Sequence, residues 1–331
     1  MCDRSYLGAM AAAVMMAMLG LASGAWAQPA KPLKVVATTG MVADAAREIG
    51  RARVKVTVLM GEGVDPHLYK ASPRDVRAMA DADLVLYNGL HLEGRMADAI
   101  EKMSKRKAAV AVAEAIEAAK LRQPAEFEGH FDPHVWFDVS LWSLAAARTR
   151  DALIERDAAG KAEYERAATD YLATLGELDA AARETLATIP KEQRVMVTAH
   201  DAFGYFGRAY GLEVLAIQGI STDSEASLRD INALVDTLVS RRVPAVFVES
   251  SVPRKTIDAL VEGCKGRGHS VTVGGELYSD AMGKDGTLEG TYLGMVLHNV
   301  DTIARALGGT VPARRGGRLG EYVEKHAARK P

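Results

Sequence analysis

KAEYERAATDYLATLGELDAAARETLATI (161–189) decides how this chain is organised. Apolar or small residues fall at Tyr164, Ala168, Tyr171, Leu175, Leu178, Ala182, Leu186 and Ile189, in steps of 4, 3, 4, 3, 4, 4 and 3. That is helical period throughout, and Pro190 limits its continuation. At helical rise the segment is about 44 Å long, more than the width of a small lobe. It reads as a bridge running along two lobes, entered from a helical stretch that begins at Leu141 and breaks near Asp157–Gly160.

On both sides of the bridge, strand-like and helix-like runs alternate. Before it come LKVVATT (33–39), the helical MVADAAREIG (41–50), VKVTVLM (54–60) and DLVLYNG (83–89). Ser72-Pro73-Arg74-Asp75 marks a helix start, with Ser as cap, Pro at the first position and Asp three residues after the cap. After the bridge come RVMVTAH (194–200), LEVLAIQ (212–218), a helix from about Glu225 to Arg242, AVFVES (245–250), the helical VPRKTIDALVEGC (252–264) and SVTVGG (270–275). The last helix is expected at about Thr291–Leu307, stopped by Gly308-Gly309. Such alternation implies mainly parallel sheets covered by helices. The expected fold is α/β with two lobes: residues 31–160, the linking helix 161–189, and residues 190–331. Ligand sites commonly lie in the cleft between lobes.

The first 27 residues read as a secretory signal peptide: Arg4, an apolar run from Leu7 to Ala22, and Ala25-Trp26-Ala27 as a cleavage site. The apolar run is short for a membrane span, so export to the periplasm with cleavage near Ala27 is expected. Cys2 would leave with the signal, so no lipid anchor is expected. Cys264 then stands alone, which rules out an internal disulfide and a cysteine zinc site. A formal net charge of −2 gives no general reason to expect nucleic acid or an anionic membrane as partner.

The chain has eight histidines, and Asp-Pro-His occurs twice, at 65–67 and 132–134. His67 follows VKVTVLM, His134 precedes a helix, His200 ends a strand, and Asp280 follows SVTVGG. Open α/β sheets bind ligands beyond the carboxyl ends of their strands, so all four are placed to converge on one ion, two from each half. The intervals of 67, 66 and 80 residues exclude a local finger motif. Proline stiffens each Asp-Pro-His turn, Asp before it can cap the turn, and a metal-bound histidine needs a partner on its second ring nitrogen. Glu249 and Asp201 are candidates for that role. Taken singly, each of the four has an ordinary reading as surface, cap or turn; their joint placement argues for a site. His91, His269, His298 and His326 read as surface or structural, His130 as lying outside the rigid turn, and Trp136, Trp142 and Cys264 as core.

GVDPHLY, NGLHLE, DPHVWFDV, TAHDAFGYF, GISTDSEAS, FVESSVP, LYSDAMG and TYLGMVLHNV, in that order, resemble the solute-binding proteins of bacterial zinc/manganese ABC importers, the cluster A-I metal-binding family. The resemblance covers nearly all of the chain after the signal. It implies two lobes bridged by one rigid helix, a metal held by His67, His134, His200 and Asp280, and delivery to an ABC permease with its cytoplasmic ATPase. It also implies capture rather than catalysis, in a protein most simply monomeric. The transported ion is expected to be Mn2+, Zn2+ or both, with iron behind them. Dedicated zinc members of the family often carry a long His-rich loop, whereas 119–131 is short and holds only His130, which weakens a pure zinc assignment. Two other readings are a periplasmic metal-dependent hydrolase, with Glu249 as conceivable base, and a metal-binding surface adhesin.

Overall fold

A computed structural model describes residues 31–105, 109–125, 127, 129–314 and 316–327. The expected signal peptide, 1–27, lies outside the described residues.

The first lobe is built from β1 (Leu33–Ala37), α1 (Gly40–Gly50), β2 (Val54–Val58), α2 (Pro73–Asp81), β3 (Leu84–Tyr87), α3 (Ala97–Ser104) and β4 (Ala109–Ala111). The four strands make one parallel sheet in the order β2-β1-β3-β4, with Val35 paired to Val56 on one side and Leu84 on the other. β1 is central, and its continuous apolar run is buried from Val35 to Ala37, as a strand covered on both faces must be. α2 begins where SPRD places it: the Ser72 hydroxyl accepts from the Asp75 N–H, the Asp75 carboxylate accepts from the Ser72 N–H, and Pro73 takes the first turn.

α4 (Val139–Arg156) starts on Asp138, whose carboxylate accepts from the N–H groups of Ser140 and Leu141. After a short turn at Ala158–Gly160 comes the bridge, α5 (Lys161–Ala187). It buries Tyr164, Ala168, Tyr171, Leu175, Leu178, Ala182 and Leu186, the face read from the spacing. The helix ends two residues before Ile189, because Thr188 and Ile189 turn their N–H groups to carbonyls three residues back.

The second lobe runs β5 (Val195–His200), α6 (Gly204–Tyr210), β6 (Glu213–Gln218), α7 (Leu228–Arg241), β7 (Ala245–Glu249), α8 (Lys255–Gly266), β8 (Thr272–Leu277), α9 (Tyr292–Ala306) and α10 (Gly317–Ala327). β5 pairs with β6 and β7 with β8, both parallel, and β5 lies beside β7. The adjacency β6-β5-β7-β8 thus repeats the order of the first lobe. Three expectations shift. α7 begins at Leu228 rather than Glu225, since Ser227 is the cap and forms a capping box with Asp230. β8 runs two residues later than SVTVGG, where a register shift at Val246/Phe247 meets Gly274 and Gly275. The helix ending near Leu307 is not the last: α10 follows and packs on α5 through the buried Leu319.

One apolar cluster passes through both lobes. It joins Val35 and Leu86 to Trp136, Trp142, Leu175, Phe203, Phe206, Tyr292 and Leu293. Phe137 stacks on Phe203 with centroids 4.2 Å apart, and Trp142 stacks on Tyr292 at 5.4 Å. The side of the molecule along α5 is therefore a shared dry core. Trp136 and Trp142 are core residues and Cys264 is buried, as their sequence context suggested. Among the described residues, no helix is long and apolar enough to cross a membrane.

Candidate metal centre

His200 is the last residue of β5, Asp280 follows β8, His67 sits in the turn after β2, and His134 opens the short turn Val135–Phe137 ahead of α4. These four, each expected from the sequence, come together: one donor atom from each lies within 4.8 Å of all the others, and all four residues are buried. His67 Nε2 is 3.2 Å from His134 Nε2. Asp280 Oδ1 lies 3.3 Å from His134 Nε2, and Asp280 Oδ2 lies 3.3 Å from His200 Nε2 and 3.7 Å from His67 Nε2.

The donors also look like ligands by what they lack. His200 Nε2 and both oxygens of Asp280 are buried with no hydrogen bond of acceptable geometry. A buried polar atom left unpaired costs about 1–3 kcal/mol. Three such atoms facing one point are accounted for by a shared cation. Three imidazole nitrogens and a carboxylate suit a divalent transition metal. The two Asp280 oxygens face different histidines, so both address the same centre.

The rings are aimed by carboxylates. In both Asp-Pro-His turns the Asp Oδ1 accepts from the histidine N–H two residues on, at 2.8 Å for His67 and 3.0 Å for His134. Asp132 Oδ1 also meets His134 Nδ1 at 2.8 Å, while its Oδ2 takes Arg122 Nη1 at 2.5 Å. Glu249 does the same for His200, accepting from its N–H at 2.9 Å and meeting Nδ1 at 2.5 Å. A carboxylate on Nδ1 places the proton there and leaves Nε2 free to bind a metal. The repeated motif was read as a stiff, capped turn; that Asp132 additionally braces the ring was missed, as was Arg122 behind it. The spacing does not carry this signal, since Asp65 bonds the His67 N–H in the same way without meeting its ring. Of the two candidate orienting residues, Glu249 holds His200, whereas Asp201 turns its N–H to Gly219 O.

The remaining histidines lie outside this cluster. His91 faces His130, with ring centroids 4.0 Å apart. His269, His298 and His326 bond the carbonyls of Val243, Glu276 and Tyr322.

Burial drives the His67 pKa down to about 3. Burial also opposes charge on His134, but Asp132 and Asp280 outweigh it and raise the pKa to about 9. His200 is likewise raised, against its burial, by Glu249 and Asp280. Burial works to keep Asp280 neutral, and His200 and His134 overcome it, holding the carboxyl well below its usual range. A metal must therefore displace protons from His134 and His200 but not from His67. The sign follows: below the raised pKa each displaced proton costs affinity as pH falls. Apparent affinity should rise as the pH climbs toward the His134 value of about 9, with protons released on binding below it. Calorimetric titration in buffers of different ionisation enthalpy checks both, and a pH-independent affinity without proton release would contradict it.

Glu249→Gln keeps the shape but removes the charge that orients His200. Loss of such an outer partner typically costs ~10–100-fold in metal affinity, measurable by chelator competition.

Four buried donors able to hold one cation, set between two parallel-sheet lobes beside one long helix, are the arrangement of a solute-binding protein of the metal type. The chain belongs to the family described as zinc-uptake complex component A, periplasmic, whose model matches residues 35–306. It is 52% identical to the manganese-binding lipoprotein MntA of Bacillus subtilis over 275 residues, 83% of this chain and 90% of that one. With the zinc-binding protein TroA of Treponema pallidum it shares 49% identity over 277 residues, 84% of this chain and 89% of that one. The solved structure of TroA superposes with a TM-score of 0.82 at 48% identity, covering 84% of this chain and 99% of that one. The Fe(III)-bound YtgA of Chlamydia trachomatis superposes with a TM-score of 0.77 at 29% identity, over 85% and 100% of the two chains.

Proposed function

We propose that this protein captures Mn2+ or Zn2+ at His67, His134, His200 and Asp280 and delivers it to the permease of an ABC importer, which works with a cytoplasmic ATPase. The carrying observation is the convergence of four buried donors, two from each lobe, within 4.8 Å. The family of the chain and its similarity to a manganese-binding and a zinc-binding relative support the same reading. We assign residues 31–160 and 190–331 to the two lobes and 161–189 to the link. A signal peptide removed near Ala27, action in the periplasm and a monomeric state complete the proposal.

Zinc stands above manganese in intrinsic affinity at such a donor set. An aspartate binding through both oxygens raises the coordination number and accommodates manganese as well, and the two oxygens of Asp280 are placed for that. Capture without catalysis fits the same geometry. Four protein donors fill a tetrahedral shell and leave no open position for a reactive water. Glu249, the conceivable base of a hydrolase, has one oxygen on the His200 N–H and the other at its Nδ1.

The test is calorimetric titration of the metal-stripped mature chain with Zn2+ and with Mn2+. One equivalent of ion bound with sub-micromolar affinity is expected for at least one of them; binding of neither at that level contradicts the proposal. Metal-dependent hydrolysis that disappears in His67→Ala would also overturn it.

A further inference from the structure

His67 is held differently from the other two histidine ligands. Asp132 and Glu249 each grip both the backbone N–H and the Nδ1 of their histidine. Among the described residues no carboxylate sits on the second ring nitrogen of His67; Asp65 holds its N–H alone. The position of this ring therefore depends on where the turn 65–67 is kept.

What keeps the turn comes from the other lobe. Asp65 Oδ2 accepts from the Thr222 hydroxyl at 2.5 Å. Thr222 belongs to GISTDSEAS (219–227), the loop between β6 and α7. Its neighbour Asp223 makes a second tie to the first lobe, accepting from Arg95 Nε at 3.0 Å and Nη2 at 2.5 Å, and Ser221 Oγ donates to Asp223 at 3.1 Å. The Arg95–Asp223 pair is exposed, at 39% and 49%, and exposed pairs contribute little. The Thr222 hydroxyl bond is made to a carboxylate by a residue only 9% exposed, the stronger kind of hydrogen bond.

We propose that Thr222 is a positioning residue for metal retention: its hydroxyl latches Asp65 across the lobe boundary, and metal leaves when that latch opens and the turn withdraws His67. The carboxylates that orient the other two histidines come from their own lobes, and the one further tie across the boundary at Asp132 is the Tyr205 hydroxyl on its carbonyl, which comes from α6 and not from the 219–227 loop. Asp132 takes Arg122, and Glu249 takes His200 on the adjacent strand. A small shift of the 219–227 loop thus reaches one ligand and leaves three in place, so a cation can be released without separating the shared core.

This inference rests on the four-ligand reading of the site. Thr222→Val keeps the branched shape and removes the hydroxyl, and the half-buried Asp65 can turn to water instead. In stopped-flow experiments on zinc-loaded protein mixed with a chromogenic chelator, zinc dissociation should accelerate about tenfold or more, the size of one charge-assisted hydrogen bond. Zinc association should stay at the wild-type rate, and Thr222→Ser should restore slow dissociation. A purely structural role would not separate the two rates. Wild-type zinc retention combined with unchanged dissociation in Thr222→Val overturns the latch and leaves the site standing. A wild-type protein that binds no zinc overturns both.

Discussion

His134→Ala loses sub-micromolar metal capture altogether. Outer partners of a ligand cost ~10–100-fold when removed, and loss of a ligand itself should exceed the upper figure. The reason is visible around the ring. His134 lies fully buried between Asp132 Oδ1 and Asp280 Oδ1, so its removal leaves two carboxylates facing a gap with one donor fewer for the ion. Calorimetric titration with Zn2+ and Mn2+ measures the effect. Affinity within about tenfold of wild type would mean that His134 is not a ligand.

Trp142→Ala has the largest expected effect on stability. Trp142 is fully buried, stacks on Tyr292 of α9, and joins the first lobe to the second inside the shared cluster. Truncating a buried tryptophan costs about 3–5 kcal/mol. Its Nε1 has no hydrogen-bond partner, so the loss is one of packing alone. Urea unfolding of the metal-stripped variant should show a lower midpoint at an unchanged slope. Since Trp142 is not among the four converging donors, the folded variant should keep its metal affinity. A midpoint equal to wild type would show that the core crossing the lobes contributes little.

The two variants separate the functions of the interface. Along α5 the lobes share a dry core, and opening it widely would expose stacked aromatics, each worth roughly 1.5–3 kcal/mol when buried. The 219–227 loop meets the first lobe instead through polar contacts, Thr222–Asp65 and the exposed Arg95–Asp223 pair, which open without exposing apolar surface. Release by a local shift of a loop is thus favoured over wide hinge opening.

Much of this was legible from residue order because the signals were strong and local. The 3.6-residue spacing of α5, the capped start of α2 and the apolar runs of β1, β5 and β7 each carry their own pattern. β4 and α3 went unread: β4 is only Ala-Val-Ala, which lacks β-branched weight, and α3 spans eight residues with no capping side chain. α10 comes soon after Pro312, opens on the second residue of Gly316-Gly317, and finds its place only by packing on α5. At the site, each histidine could be picked because it ends a strand or follows Asp-Pro. The Thr222–Asp65 contact joins residues 157 apart, and no local rule pairs them; only the facing of the two lobes does.

In the proposed function one cation sits between the lobes on His67, His134, His200 and Asp280. Anomalous diffraction from crystals of the protein loaded with one equivalent of zinc tests it most directly. A single peak above the zinc edge is expected, about 2.0–2.2 Å from the Nε2 atoms of the three histidines and from an Asp280 oxygen. A peak elsewhere, or one lacking any of these four contacts, would contradict it.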